Sequence, residues 1–203
     1  MTNYALPSHT GISNIVFRMS SQNFSTGSPF TYQQQVINHV GRRWEVDVTL
    51  PQMLHDDARI WLAWLAKLDG SLNTFNLGDP RGKTAQGEAG GTPLVFGASQ
   101  TGSSLDVDGC TLSQTGWLKA GDYIQLGSAA SARLYMVTDD VDTNGSGEAT
   151  INLWPAITTA PDDNASVVVS DTVGTFRLAS NVSTWSIDDA SIYGISFSGV
   201  ALV

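Results

Sequence analysis

The chain has 203 residues, enough for one large hydrophobic core or two small ones. Apolar residues make up 41% of it and charged residues only 14%, below the usual roughly 25%, and six tryptophans with seven phenylalanines exclude a disordered chain, since they need burial. Ten basic against 19 acidic side chains give a formal net charge of −9, which favours solubility and works against gripping nucleic acid through its phosphates.

Asn14–Met19 reads as a first strand, Phe24–Pro29 as a turn-rich loop, and Phe30–His39 as a second strand with Phe30, Tyr32 and Val36 as buried anchors. Arg43, Glu45 and Asp47 then alternate with Trp44, Val46 and Val48, the period-two pattern of a half-buried strand, which Pro51 ends. Asp56 and Asp57 are placed to cap a helix over 56–68 and to favour its positive end. Its apolar stripe is Trp61, Leu65 and Leu68, broadened by Ile60, Leu62 and Trp64, and Gly70 supplies a left-handed stop. Leu72, Phe75 and Leu77 resume extended structure.

The composition then shifts. Residues 79–93, DPRGKTAQGEAGGTP, hold four glycines and two prolines in 15 residues, which predicts an exposed loop or a mobile linker, the linker placed over 81–93. Residues 94–171 form an expected inserted β domain without a helix. Its strands are predicted at Leu94–Ala98, Ser104–Val107, Tyr123–Leu126, Arg133–Thr138, Ala149–Trp154 and Ser166–Ser170, a spacing that suggests a small barrel or sandwich. Lys119-Ala120-Gly121-Asp122 and Asn144-Gly145 read as turns. From Gly174 on, Phe176, Leu178, Trp185, Ile187, Ile192, Ile195 and Phe197 supply further strands for the first sheet. The first module, 1–80 and 172–203, would then be discontinuous, with 94–171 nested inside it; a single continuous sandwich would give a similar pattern.

Residues 42–82 carry a family resemblance. A tryptophan-led strand ending in Leu50-Pro51-x-Met53 is followed by a helix with paired tryptophans, then Leu68-x-Gly70, Thr74-Phe75 and Leu77-Gly78-Asp79-Pro80. The combination resembles tail proteins of long-tailed bacteriophages and prophages, most closely the minor tail or distal tail protein. It extends over Leu118–Leu126, Arg133–Pro155 and Phe176–Val203. The resemblance implies a mainly β fold: a tail-tube-like β-sandwich with one packed helix, carrying an inserted small β domain. It implies a hexameric ring at the distal end of a non-contractile tail, in contact with the tail tube protein and with tip, hub and fibre proteins. It implies no catalysis, no cofactor and no membrane insertion, with DNA only as passing cargo, and an acidic chain suits such a conduit. Trp44, Trp61, Trp64, Leu65, Phe75, Asp79 and Arg81 are the structural or assembly residues it points to.

Reactive groups are sparse. Cys110 is the only cysteine, which excludes an intrachain disulfide and a cysteine-rich metal cluster. His9, His39 and His55 lack ligand or triad spacing. Asp140, Asp142, Asn144 and Glu148 match the first half of a calcium loop, but Ile151 stands where the bidentate glutamate belongs, so a solvated hairpin turn fits better. Trp117 and Trp154 would stack on sugars if exposed, though core positions suit residues of that size better. The start, MTNYALPSHTGIS, lacks the regions of a signal peptide, and no apolar run approaches membrane-spanning length, so assembly in the host cytoplasm is expected before incorporation into the virion.

The sequence reading is a structural virion protein of the distal tail. The polar strand Thr31–Val40 and the Gly-rich loop Asp79–Pro93 are its candidate contact surfaces. The rivals are a receptor- or carbohydrate-binding tail module, a cell-wall hydrolase needing clustered carboxylates or zinc, and the tail tube subunit, against which the inserted segment argues.

Overall fold

The computed structural model describes residues 1–8 and 10–202. The fold is mainly β, in two sheets with one α-helix. The first sheet contains β1 (Asn14–Gly27), β2 (Gln34–Thr49), β3 (Phe75–Leu77), β10 (Gly174–Leu178) and β12 (Tyr193–Ala201) in the order β1-β2-β12-β10-β3, with β11 (Trp185–Ile187) paired to β12. Helix α1 (His55–Leu68) packs on this sheet. The second sheet contains β4 (Gly91–Val95), β5 (Gly102–Cys110), β6 (Tyr123–Leu126), β7 (Arg133–Val137), β8 (Ala149–Ile157) and β9 (Val167–Val168) in the order β4-β5-β8-β7-β6-β9. A bridge from Leu94 to Ser166 and the hydrogen bond from Val95 N–H to the Ala165 carbonyl bring its two ends together, so it is a nearly closed barrel. Each predicted strand of this segment coincides with or overlaps an observed one.

The alternation in β2 sets the faces of the first sheet. Trp44, Val46 and Val48 are buried, and Glu45 and Asp47 stand half-buried on the opposite side. The buried side receives α1: Trp64 meets Phe75 with ring centroids 5.3 Å apart, and Trp61 meets Phe197 at 6.4 Å. Trp61, Trp64, Leu65 and Leu68 are all buried, whereas Ile60, expected on the stripe, is exposed. The Trp61 indole N–H donates to Thr10 Oγ1 at 2.5 Å, tying the N-terminal segment over the helix.

The helix ends differ in detail from the sequence reading. Leu54 occupies the N-cap and makes no side-chain cap bond; Asp56 and Asp57 lie in the first turn, where their charge still favours the positive end. The left-handed stop begins one residue early, at Asp69 with φ 50°, whose N–H donates to the Ala66 carbonyl, and continues into Gly70 with φ 62°. A Cβ on Gly70 would lie 2.9 Å from the Asn181 Cα, so close approach also demands glycine there. Leu72 is exposed in the turn that follows.

Three expectations for the first 49 residues are overturned. Phe24–Pro29 is not a loop: β1 runs unbroken to Gly27. The predicted second and third strands are one, β2. Phe30, Tyr32 and Val36 are not buried anchors but are 91%, 86% and 62% exposed. The cause is that β1 and β2 outrun the sheet. Beyond the Ser21–Arg42 pair the register jumps to Asn23–Asn38, a bulge, and from there the two strands pair only with each other as a protruding ribbon.

The Gly-rich segment is not a free linker. Thr84 bridges Ser170, Gln86 and Gly87 donate their N–H groups to Asp122, and Glu88 and Ala89 donate to the Gly116 and Trp117 carbonyls. Gly87 is needed because a Cβ would strike the Trp117 backbone, and Gly91 because its φ is 96°.

Trp61→Ala is expected to cost about 3–5 kcal/mol as a large-to-small core change, read by urea titration. A loss below about 1 kcal/mol on that scale would mean that the stripe does not support the core.

Candidate functional site

The candidate site is the ribbon formed by the ends of β1 and β2, together with the polar face of the sheet that carries it. From Met19 to Gly41 the chain has no Asp, Glu, Lys or Arg. It shows solvent Met19, Phe24, Phe30, Tyr32, Val36, Ile37 and Val40, each at least 44% exposed. Alternating strand-forming residues extend the pairing, but no second layer covers either side. Its tip is held by local bonds: Ser28 N–H to the Gln33 carbonyl at 2.9 Å and Tyr32 N–H to the Ser28 carbonyl at 2.9 Å. An isolated two-stranded ribbon is marginal in water, and seven large apolar side chains exposed on one element is unusual for a monomer.

The sheet's outward face is polar. Asp47 accepts a 2.6 Å hydrogen bond from the Ser198 hydroxyl and is paired with Arg18, and both contacts hold its carboxyl below the ordinary range. Arg43 turns onto Glu45 at 2.9 Å along the same face. With Thr49, Ser196 and Ser198 this gives a surface of hydroxyls and internally paired charges.

The other residues singled out by sequence go elsewhere. Trp44, Trp61, Trp64, Leu65 and Phe75 lie in the core. Asp79 Oδ1 accepts the Arg81 N–H at 2.8 Å in the turn after β3. His9 lies outside the described residues. His39 is exposed on the ribbon, and His55 Nδ1 sits 3.0 Å from the Tyr193 hydroxyl, so these two do not converge.

The calcium-like loop spends its oxygens on its surroundings. Asp140 accepts from Lys119 Nζ at 2.8 Å and from the Ala120 N–H, which lowers its pKa and raises that of Lys119. Asp142 accepts from the Gly116 N–H at 2.6 Å. Asn144 Oδ1 accepts from the Ser146 and Glu148 N–H groups, and Glu148 accepts from Asn144 Nδ2. The segment is a hairpin turn, as its chemistry suggested. No group of three or more His, Cys, Asp or Glu among the described residues is arranged to hold a metal ion.

Trp117 is fully buried, with its indole N–H on the Gly90 carbonyl at 2.8 Å. Trp154 is partly buried against Trp44. Trp117 is thus closed to stacking on a sugar, and Trp154 is partly covered.

Sequence reasoning missed two things. One is Asp122, 3% exposed, whose carboxylate accepts the N–H groups of Gln86, Gly87 and Lys119 and so fastens the Gly-rich segment to the barrel. Its position closing the Lys119–Asp122 turn was the available signal. The other is the ribbon's exposure, for which the signal was the absence of charge from Met19 to Gly41.

Residues 82–172, the barrel with its Gly-rich lead-in, match the family described as Distal tail protein pb9, B domain. No curated protein matches the chain. The match takes in Leu118–Leu126 and Arg133–Pro155, to which the resemblance read from sequence extends, and adjoins its 42–82 part; both point to distal tail proteins of phages.

Calcium at millimolar concentration, or a chelator, is expected to leave the thermal midpoint unchanged. A calcium-dependent rise would show binding to the native state and make the Asp140–Glu148 loop a real site.

Proposed function

We propose, from this kinship with phage distal tail proteins, that the chain is a ring-forming structural subunit at the end of a phage tail tube. Copies of it close head to tail into a hexamer that joins the tube to the tip, hub or fibre proteins, and the ring surrounds the path of the DNA. The proposed work is assembly, not catalysis. The family match supports the coarser part, a structural role in the distal tail.

The observation that carries the ring is the ribbon. A closed ring of identical subunits needs two different, complementary surfaces on each copy. The ribbon is one such surface: uncharged, rich in exposed aromatic and β-branched residues, and projecting from one edge of the sheet. Ordering it against a neighbour covers apolar area that otherwise faces water, at roughly 25 cal/mol per Å². The edge of β1 strengthens the argument. It is long, open and carries only Arg18 as a charge, and such an edge is a template for pairing with another chain.

The outward face of the sheet is the proposed lining. Its hydroxyls and its carboxylates already paired within the subunit, on a chain of net charge −9, give passing phosphates few free cations to bind.

Changing Phe24 and Phe30 together to Ser is expected to leave the monomer's stability within about 0.5 kcal/mol, as surface changes do, while abolishing higher assemblies in sedimentation or native mass measurements. Assembly at the normal yield with both aromatics gone would remove the ribbon from the interface.

A further inference from the structure

A second surface matches the ribbon. A groove of about 590 Å³ runs between the N-terminal segment and the exit of β3, floored by Leu6, Pro7, Ile12, Leu77, Pro80 and Val173. Two of its three charged groups, Lys83 and Asp171, pair with each other at its exposed rim. Lys83 Nζ lies 3.6 Å from Asp171 Oδ1, and Asp79 accepts the Arg81 N–H. What remains is an apolar floor that makes no demand for a charged ligand.

Its place in the fold matters as much as its chemistry. In the order β1-β2-β12-β10-β3 the ribbon grows from the β1 edge, and the groove lies beside the exit of β3, the other edge. An uncharged apolar projection at one edge and a largely apolar recess at the other suit the two halves of a heterologous contact. A two-fold dimer that exchanged ribbons reciprocally would fill both grooves but would close at two copies, whereas the head-to-tail arrangement continues into a ring.

We propose that the ribbon tip of one subunit, residues 24–36, docks in the groove between the N-terminal segment and β3 of the next copy. The occupant is a second copy of this chain. Phe30 at the tip is 91% exposed and Phe24 57% exposed, so burying them is the gain on the donor side. On the acceptor side, the N-terminal segment is fixed by Trp61 to Thr10 and by Tyr4 N–H to the Thr74 carbonyl, so the groove exists before docking. A preformed recess reduces the ordering cost of association. This assignment rests on the ring reading and names the contact that closes the ring.

The test uses cysteine cross-linking, for which the chain is suited. Cys110 is buried, and burial first, then the nearby Asp108 charge, push its thiol up to about 11, so it stays unreactive near neutral pH. Thr31→Cys on the ribbon is combined with Ser8→Cys at the groove. A control combines Thr31→Cys with Ser183→Cys on a remote exposed loop. The assembled protein is oxidised and run under non-reducing denaturing conditions. The expected result is a ladder of linked subunits for the groove pair, none for the control, and only dimers when the two single variants are mixed. Rings that form without that ladder, or with the ladder only in the control, would overturn the docking and leave the ring standing. A protein that stays monomeric at every concentration and in assembled tails would overturn both.

Discussion

Trp44 joins the two halves of this protein, alongside the Thr175 hydrogen bonds to the Ala129 and Ala132 carbonyls. It stands on β2, the strand that also carries the ribbon, and its ring meets Trp154 of the barrel edge-on at 4.6 Å, with Tyr123 at 6.1 Å and Phe17 at 6.0 Å. Its indole N–H reaches across to the Leu134 carbonyl at 3.0 Å, inside the core. Aromatic pairs of this kind are worth about 0.5–1.5 kcal/mol each beyond the area they bury. The buried hydrogen bond adds direction, because losing it strands a carbonyl away from water. The barrel is therefore joined to the sheet by more than its two chain crossings. Thr84 bridging Ser170 fastens the crossings, and Trp44 fastens the body.

This joined body sets the ribbon apart. A domain built with two buried cores, one under the sheet and one in the barrel, has no internal need for a projection of bare aromatic residues. The ribbon adds unpaired edge and exposed apolar surface, features that a solitary protein suppresses. On the proposed reading, the extension and the recess at the other edge are the two contacts of a building unit. The match of residues 82–172 to a distal tail domain fits that reading, since a tail is assembled from repeated subunits.

Much of the fold was legible because the local signals were unambiguous. The alternation around Trp44, Val46 and Val48 and the stripe of Trp61, Leu65 and Leu68 both mark faces that the structure buries. The barrel strands follow from short apolar runs between turns. The ribbon was not legible for a physical reason. Alternation reports that a strand has two faces; it does not report whether anything covers either one. Phe30 and Tyr32 carry the same pattern whether they fill a core of their own chain or of a neighbour. The Gly-rich segment failed in the opposite way. Gly87 and Gly91 are there for close backbone approach and a positive φ, yet composition alone reads such glycines as freedom. Asp122 was hidden because a carboxylate that gathers three backbone N–H groups looks, in sequence, like any turn aspartate.

The central claim is that identical copies close into a ring with the polar face of the sheet turned inward. Electron microscopy of the assembled protein or of intact tails tests it most directly, because a density map shows both the symmetry and which face lines the channel. The account predicts a closed hexameric ring with Glu45, Asp47 and Ser198 toward the lumen and each ribbon laid on a neighbour. A single copy in the tail tip, or a ring in which that face points outward and the ribbons stand free in solvent, would contradict it.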